Sequence, residues 1–450
     1  MEDVRRMRKI LLSIACLLAI TVKADNISVG TQAELAALAG STHAGDVITL
    51  TADIELTFGS GEYWTPIGTF TTPFEGTFDG NGHTISGISI DFESKAELAG
   101  LFGYVGTSGV VKNVIVAGGV DDYIYSNGDG TNTNFVGAVV GYNAGTVQYC
   151  GNTAPISAIH KKGRAGGVVG YNTGTITGCY NLGTVQRSGV DVSTIYIGGV
   201  VGENDGGTVS GCMSTSGITP DMTLENMSSN ASTITTHKDQ TVNVLLDSRT
   251  LYADDSWNTL CLPFTIPAAA LAGATVKEID AERSGLSGTT LTLYANAVTT
   301  LEAGKPYLVK WPAEKPDISN PCFQGVTINI STTDAVFTGG RFTGSFSPVS
   351  FVANDKKVLF VSSDNTLYWP NKEMAMGSCR AYFQMTESVE SREIVTFFDD
   401  NGETTSLNEE LRIKNEECQS TWYTLDGRKL EYKPTTKGIY IHHGKKEVVK

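Results

Sequence analysis

Few residues in this 450-residue chain have the type and spacing for covalent chemistry. Glycoside hydrolysis wants two carboxyl groups held across one groove. Between residues 25 and 217 the adjacent acidic pair is Asp121-Asp122, and alternation along a strand would send those side chains to opposite faces. A lyase would want a basic residue beside carboxylates that hold Ca2+. Lys161, Lys162 and Arg164 supply the bases, but no acidic cluster aligns with them. His83, His160, His237 and His442-His443 have no partners at metal-ligand spacing, and the chain has no HExxH, P-loop, nucleophile elbow or CxxC. The nearest approach to a cation site is Asn127, Asp129 and Asn132 around "GDGTNTN", which lacks the acidic twelfth position of an EF-hand loop. The expectation is a protein with no catalytic residue, no metal and no cofactor.

Recognition chemistry is better supplied. An aromatic ring stacks on the face of a sugar, while amides and hydroxyls bond its hydroxyl groups. Tyr123, Tyr125, Tyr142 and Tyr171 recur among Asn, Thr and Ser, and Glu203 stands where a further tyrosine is expected. These five are the candidate ligand contacts. They must be positioned by a repeat, because "VGAVVGYNAGTVQYC", "AGGVVGYNTGTITGC" and "IGGVVGENDGGTVSGC" follow one another between Phe135 and Gly217. Their reference glycines, Gly141, Gly170 and Gly202, are 29 and 32 residues apart. That period signals stacked units rather than one globular core. Stacking predicts dry columns of Val139, Val168 and Val200 and of Val147, Ile176 and Val209, with an amide ladder of Asn143, Asn172 and Asn204. Cys150, Cys179 and Cys212 share one repeat position and are expected to stack as small buried side chains.

The chain upstream adds "WTPIG" at 64–68, "FEGTFDGNGHTI" at 74–85 and "GLFGYV" at 100–105. In this order, and followed by the "GGVVGYN" repeats, these segments resemble the GLUG-repeat family of bacterial surface proteins over residues 26–217. The resemblance implies a right-handed parallel β-helix, similar in outline to pectate-lyase-like solenoids, and an adhesin-like role. A polysaccharide lyase or glycoside hydrolase on the same scaffold, or a structural spacer, are the rival readings.

The rest of the chain sets the context. Residues 1–24 read as a signal peptide: Arg5, Arg6, Arg8 and Lys9, an apolar run from Ile10 to Val22, then small residues. Its loss would move the net charge from −15 to −18, since it holds five basic and two acidic side chains. Such a balance argues against nucleic acid as a partner. No later stretch is apolar enough to span a membrane. Residues 25–217 form the helix with its cap, a short helix at Thr31–Gly40. Residues 218–239 are polar and read as a linker. Residues 240–407 hold strand-length runs between turns, which predict an antiparallel β-sandwich with Trp257, Leu260, Leu262, Phe264, Tyr307, Leu308, Val309, Phe342, Phe346, Leu359, Phe360, Tyr382 and Phe383 in its core. A charged linker at 408–420 precedes a small β module at 421–450. There "YTLDGRKL" and "KGIYIHHGKK" resemble the C-terminal sorting tails of type IX (Por) secretion cargo. Cys261, Cys322, Cys379 and Cys418 allow three pairings. The expected setting is the cell surface or the extracellular space, with glycans or host matrix proteins as ligands and the secretion machinery as a partner of the tail.

Overall fold

A computed structural model describes residues 24–90, 97–118, 124–126, 133–158, 163–187, 196–389 and 393–398, and strands at 403–406, 422–423, 429–430, 438–442 and 445–449. The protein is all-β, with many parallel sheets.

Each repeat of the N-terminal part breaks into strands of two to four residues, because Gly and Asn interrupt the apolar runs. Each strand pairs in parallel with its counterpart one repeat away. The longest such sheet holds Asn26–Val29, Val47–Leu50, Thr77–Asp79, Val110–Lys112, Thr146–Gln148, Thr175–Thr177 and Thr208–Ser210. Its register places Ile27, Ile48, Phe78, Val111, Val147, Ile176 and Val209 in one column. Two further parallel sheets carry the repeated tyrosines and the residues beside them, as described below. Val139, Val168 and Val200 are fully buried. Burying each such valine stabilises the fold by about 1.5–3 kcal/mol.

The helix at the N-terminal end is shorter than the sequence suggests, Gln32–Ala36, followed by turns. It starts with a capping box. Thr31 accepts the Glu34 amide at 3.3 Å, and the Glu34 carboxylate accepts the Gly30 amide at 2.9 Å. Leu35 and Leu38 are buried in the same core as the first strands.

The other end of the stack is covered through its own hydrogen bonds. Strand Cys212–Ser214 pairs antiparallel with Cys322–Thr327, which pairs in turn with Thr241–Asp247. One nine-stranded sheet therefore runs through both parts of the molecule. Met213 and Tyr180 of the stack share a core with Phe264 and Phe323 of the following part. A bare strand edge would otherwise template aggregation.

This junction corrects the reading of 218–239 as a linker. Met222–Glu225 is a strand parallel to Thr241–Asp247, and Ala231–Thr236 is a helix with Ile234 buried. Asn230, buried to 1 % exposure, accepts the Glu225 amide at 2.9 Å and donates to the Phe346 carbonyl at 2.9 Å. Its polar side chain is a structural tie, which composition alone disguises.

Beyond it lie two main sheets. Asn258–Cys261, Pro306–Lys310, Thr275–Ile279 and Thr290–Ala297 pair antiparallel, but Glu393–Phe397 joins Thr290–Ala297 in parallel. Ala335–Phe337, Gly340–Ser345, Arg380–Met385, Val358–Val361 and Leu367–Tyr368 form the second, antiparallel throughout. The expected core residues are buried except Tyr382, which is half-buried against Phe351 and Phe360. Glu393–Phe397 and Glu403–Ser406 pair antiparallel. Described strands of the C-terminal segment form a four-stranded antiparallel sheet.

The reference glycines owe their place to space. A Cβ at Gly170 would lie 2.5 Å from the Val136 nitrogen and 2.7 Å from the Gly141 carbonyl oxygen, both in the neighbouring repeat. Gly206, the glycine inserted in the third repeat, has φ +73° and open space around it. Gly170→Ala should therefore cost about 1–3 kcal/mol or more through overpacking, and Gly206→Ala about 1 kcal/mol through backbone strain. Denaturant unfolding of the two variants measures the difference.

Candidate functional site

Two neighbouring sheets of the stack turn their outer side chains toward each other. In one, Phe102–Val105, Val140–Asn143, Val169–Asn172 and Val201–Asn204 align Tyr104, Tyr142, Tyr171 and Glu203. In the other, Leu98–Ala99, Asn134–Gly137, Gly163–Gly166 and Tyr196–Gly198 align Leu98, Phe135, Arg164 and Tyr196. Alternation sends the residues next to them inward, among them Asn143, Asn172, Val136 and Ala165, all fully buried, and these residues outward. The result is an exterior strip along the stacking direction.

Ring contacts run from Phe70 to Tyr171. Tyr104 and Tyr142 lie 4.8 Å apart between centroids, and Tyr142 and Tyr171 4.9 Å. Phe135 touches both Tyr142 at 5.4 Å and Tyr171 at 5.1 Å. At the N-terminal end Phe70 covers Tyr104 at 5.5 Å and Tyr142 at 5.9 Å. It reaches them from a loop between Ile67 and Phe74, the residues that bridge to Phe102 and Val105. The two ends of the strip carry the most exposed rings, Phe70 at 48 % and Tyr196 at 50 %.

The C-terminal end is polar. Arg164 occupies an aromatic position, with its guanidinium 5.8 Å from the Phe135 ring centre and 5.2 Å from that of Tyr196. Its Nε also bonds the Glu203 carboxylate. Glu203 therefore replaces tyrosine where an arginine from the neighbouring column needs a counter-charge. The Tyr171 hydroxyl donates to Asp205 at 2.5 Å, and this bond pushes its pKa up to about 12.

Of the five candidate contacts, the structure brings Tyr142, Tyr171 and Glu203 together. Tyr123 lies outside the described residues, as do Asn127, Asp129 and Asn132 of the cation loop and the pair Asp121-Asp122. Tyr125 lies in strand Ile124–Ser126, paired with Ser157, and nothing further is described of its side chain. Tyr104, Phe70, Phe135, Tyr196 and Asp205 are additions. The Gly-Tyr pair in "GLFGYV" was the available signal for Tyr104; Phe135, Tyr196 and Asp205 sit at positions whose residue type changes from repeat to repeat, and Phe70 sits in a loop between Ile67 and Phe74. Among the described residues no group of His, Cys, Asp and Glu is arranged to hold a metal ion.

Behind the strip the amide ladder holds the register. Asn143 donates to the Asn172 Oδ1, and Asn172 to the Asn204 Oδ1, each at 2.7 Å. Asn172 also donates to the Gly174 carbonyl and accepts the Gly174 amide, both at 3.2 Å, so its four hydrogen-bonding sites are all used. A second ladder runs beside the cysteines. Asn152 donates to Asn181 at 2.8 Å, and Asn181 to the Ser214 hydroxyl at 3.3 Å. Cys150, Cys179 and Cys212 are stacked, free and fully buried, each of the first two amides pointing at the next sulfur at 3.4 Å. Desolvation raises the thiol pKa of Cys179 and Cys212 well above the ordinary value, which leaves them unreactive. Cys261, Cys322 and Cys379 are also free and buried, and Cys418 lies outside the described residues.

The family of the GLUG motif matches residues 163–186. That GLUG segment is one repeat of the stack, holding Arg164, Tyr171, Asn172, Cys179 and Asn181. The chain is 39 % identical over 128 residues to halomucin of Haloquadratum walsbyi, covering 27 % of this chain and 1 % of that protein. It is 38 % identical over 101 residues to a putative Gly-rich membrane protein of Evansella cellulosilytica, covering 22 % of this chain and 11 % of that one. The chain thus spans a small part of the curated relatives it matches. No solved structure gives a significant match. Among the described residues no helix is long and apolar enough to cross a membrane.

Asn172→Ala should cost about 2–4 kcal/mol, because it leaves the buried Asn143 amide and the Gly174 backbone groups without their partner. Asn204→Ala, at the exposed end of the ladder, should cost about 1 kcal/mol. Thermal unfolding of the pair checks the order. A second test uses tyrosinate absorbance. Tyr171 should ionise late, near pH 12, and Asp205→Asn should bring it back toward the ordinary range. Because the folded pKa is the raised one, the bond's contribution is complete below the unfolded pKa and is lost as pH climbs through about 12.

Proposed function

We propose that this chain is an exported, non-enzymatic protein of the cell surface or extracellular space that binds an extended polymer, a glycan or a matrix protein, along its repeat region. In this reading residues 25–217 form a right-handed parallel β-helix, residues 240–407 an antiparallel sandwich-like accessory domain, and the last thirty residues a sorting tail of the type IX kind. The leader at 1–24 starts the route out of the cytoplasm.

The observation that carries the proposal is the exterior strip. Six aromatic side chains line it in ring contact or over one arginine, and its two half-exposed rings, Phe70 and Tyr196, cover no other part of the protein's described core. A solenoid needs its inward columns to fold. Outward aromatics add exposed apolar area that a monomer gains little from. The names of the two relatives, halomucin and a putative Gly-rich membrane protein, favour a place at the cell envelope. The free acidity of the chain, −15 overall, suits a soluble surface in that setting.

Binding of the full chain to immobilised glycans and matrix proteins tests the reading. Wild type should bind at least one extended polymer, and a Phe70→Ser/Tyr196→Ser double variant should lose tenfold or more while unfolding at the wild-type temperature. A wild-type chain that binds no member of either class, or that releases reducing ends from a polysaccharide, contradicts it.

A further inference from the structure

The strip has a repeat length, a polarity and a charge, and together they select among polymers. Along the column the rings recur at 4.8 and 4.9 Å, the spacing of hydrogen-bonded strands. An extended chain of β-linked hexopyranoses advances by a closely similar step per sugar. A polypeptide ligand in extended form does not, since its side chains return to one face only every second residue. We infer that the strip is a binding site for a neutral, linear polysaccharide lying parallel to the stacking direction, one sugar per repeat, from Tyr104, which Phe70 flanks, to Tyr196. This rests on the surface-binding reading above and names its ligand class.

The chemistry of the strip fits such a ligand. The half-exposed rings at the two ends offer faces on which a pyranose can stack. Between them Tyr104, Tyr142 and Tyr171 are only partly exposed and tilted against each other, so their hydroxyl-bearing edges form the floor. Sugars have both kinds of surface, apolar C–H faces and hydroxyl rims. Neutrality follows from the polar end. The Arg164 charge is matched by Glu203, and Asp205 beside it is held by the Tyr171 hydroxyl. Among the described residues the strip has no excess positive charge to receive sulfate or uronate groups, and the net charge of −15 would repel them. Four successive repeats contribute, those of Tyr104, Tyr142, Tyr171 and Tyr196, and Phe70 is seated beside the first two.

A length series separates this inference from its parent. Calorimetry of the full chain with neutral β-linked oligosaccharides of two to eight sugars should show affinity rising with each added sugar and levelling near four. Phe70→Ala, which removes the ring at one end, should move the plateau down by about one sugar and weaken the longest ligand about tenfold. Tyr196→Ala should do the same from the other end. Affinity that is complete with a disaccharide, or that both variants leave unchanged, overturns the axial site. Binding of a matrix protein or a uronate-rich polymer with the same sensitivity to Phe70→Ala, and no neutral glycan, overturns the ligand class but keeps the surface-binding role. Failure to bind either class overturns both.

Discussion

Everything in the N-terminal part depends on parallel hydrogen bonding between repeats in fixed register. Once Val140 pairs with Val169 and Val169 with Val201, each position must suit a copy of itself directly above and below. Apolar positions satisfy this by dispersion and exclusion of water. Buried polar positions satisfy it only if they can both donate and accept along the stack. Asparagine can, because its amide carries two donors and two lone pairs. That is why Asn143 and Asn172 can be fully buried in a core that would penalise an unpaired amide by several kcal/mol.

The same constraint explains the glycines and the shape of the exterior. At Gly141, Gly170 and Gly202 the backbones of two sheets come so close that a Cβ would meet main-chain atoms of the next repeat at 2.5–2.9 Å. Removing side chains there brings the tyrosine column up against the Phe135 and Arg164 column. The packing that needs glycine thus assembles the aromatic strip. The tyrosine column ends in the Glu203 ion pair rather than a further ring, and its neighbour Tyr171 is tied to Asp205, so the C-terminal end of that column is closed by charge.

Much of this was legible because the repeats copy one another. Asn143, Asn172 and Asn204 and the Val139, Val168 and Val200 column stand at fixed offsets from the reference glycine, the three cysteines and the Val147, Ile176 and Val209 column differ only by the inserted Gly206, and register does the rest. The second ladder was harder to see. Its members, Asn152, Asn181 and Ser214, follow each cysteine by two residues, but the third copy changes residue type. Phe135, Arg164 and Tyr196 share one column with three different side chains, so no periodic signal marks them, although the structure shows why they suit each other. Phe70 is delivered by an inserted loop, which periodicity cannot register. The polar segment at 218–239 was read by composition, and composition does not reveal that Asn230 has backbone partners 5 and 116 residues away.

The central claim is that equivalent residues of successive repeats lie directly over one another. Cysteine cross-linking tests it without a ligand. In chains carrying Tyr142→Cys with Tyr171→Cys, mild oxidation should close a disulfide rapidly, because these strands pair in parallel at those positions. The displaced combination, Tyr142→Cys with Thr175→Cys, belongs to two different sheets and should stay reduced under the same conditions. Rapid closure of the displaced pair, with the aligned pair left open, would contradict the stacked register on which the strip and both ladders depend.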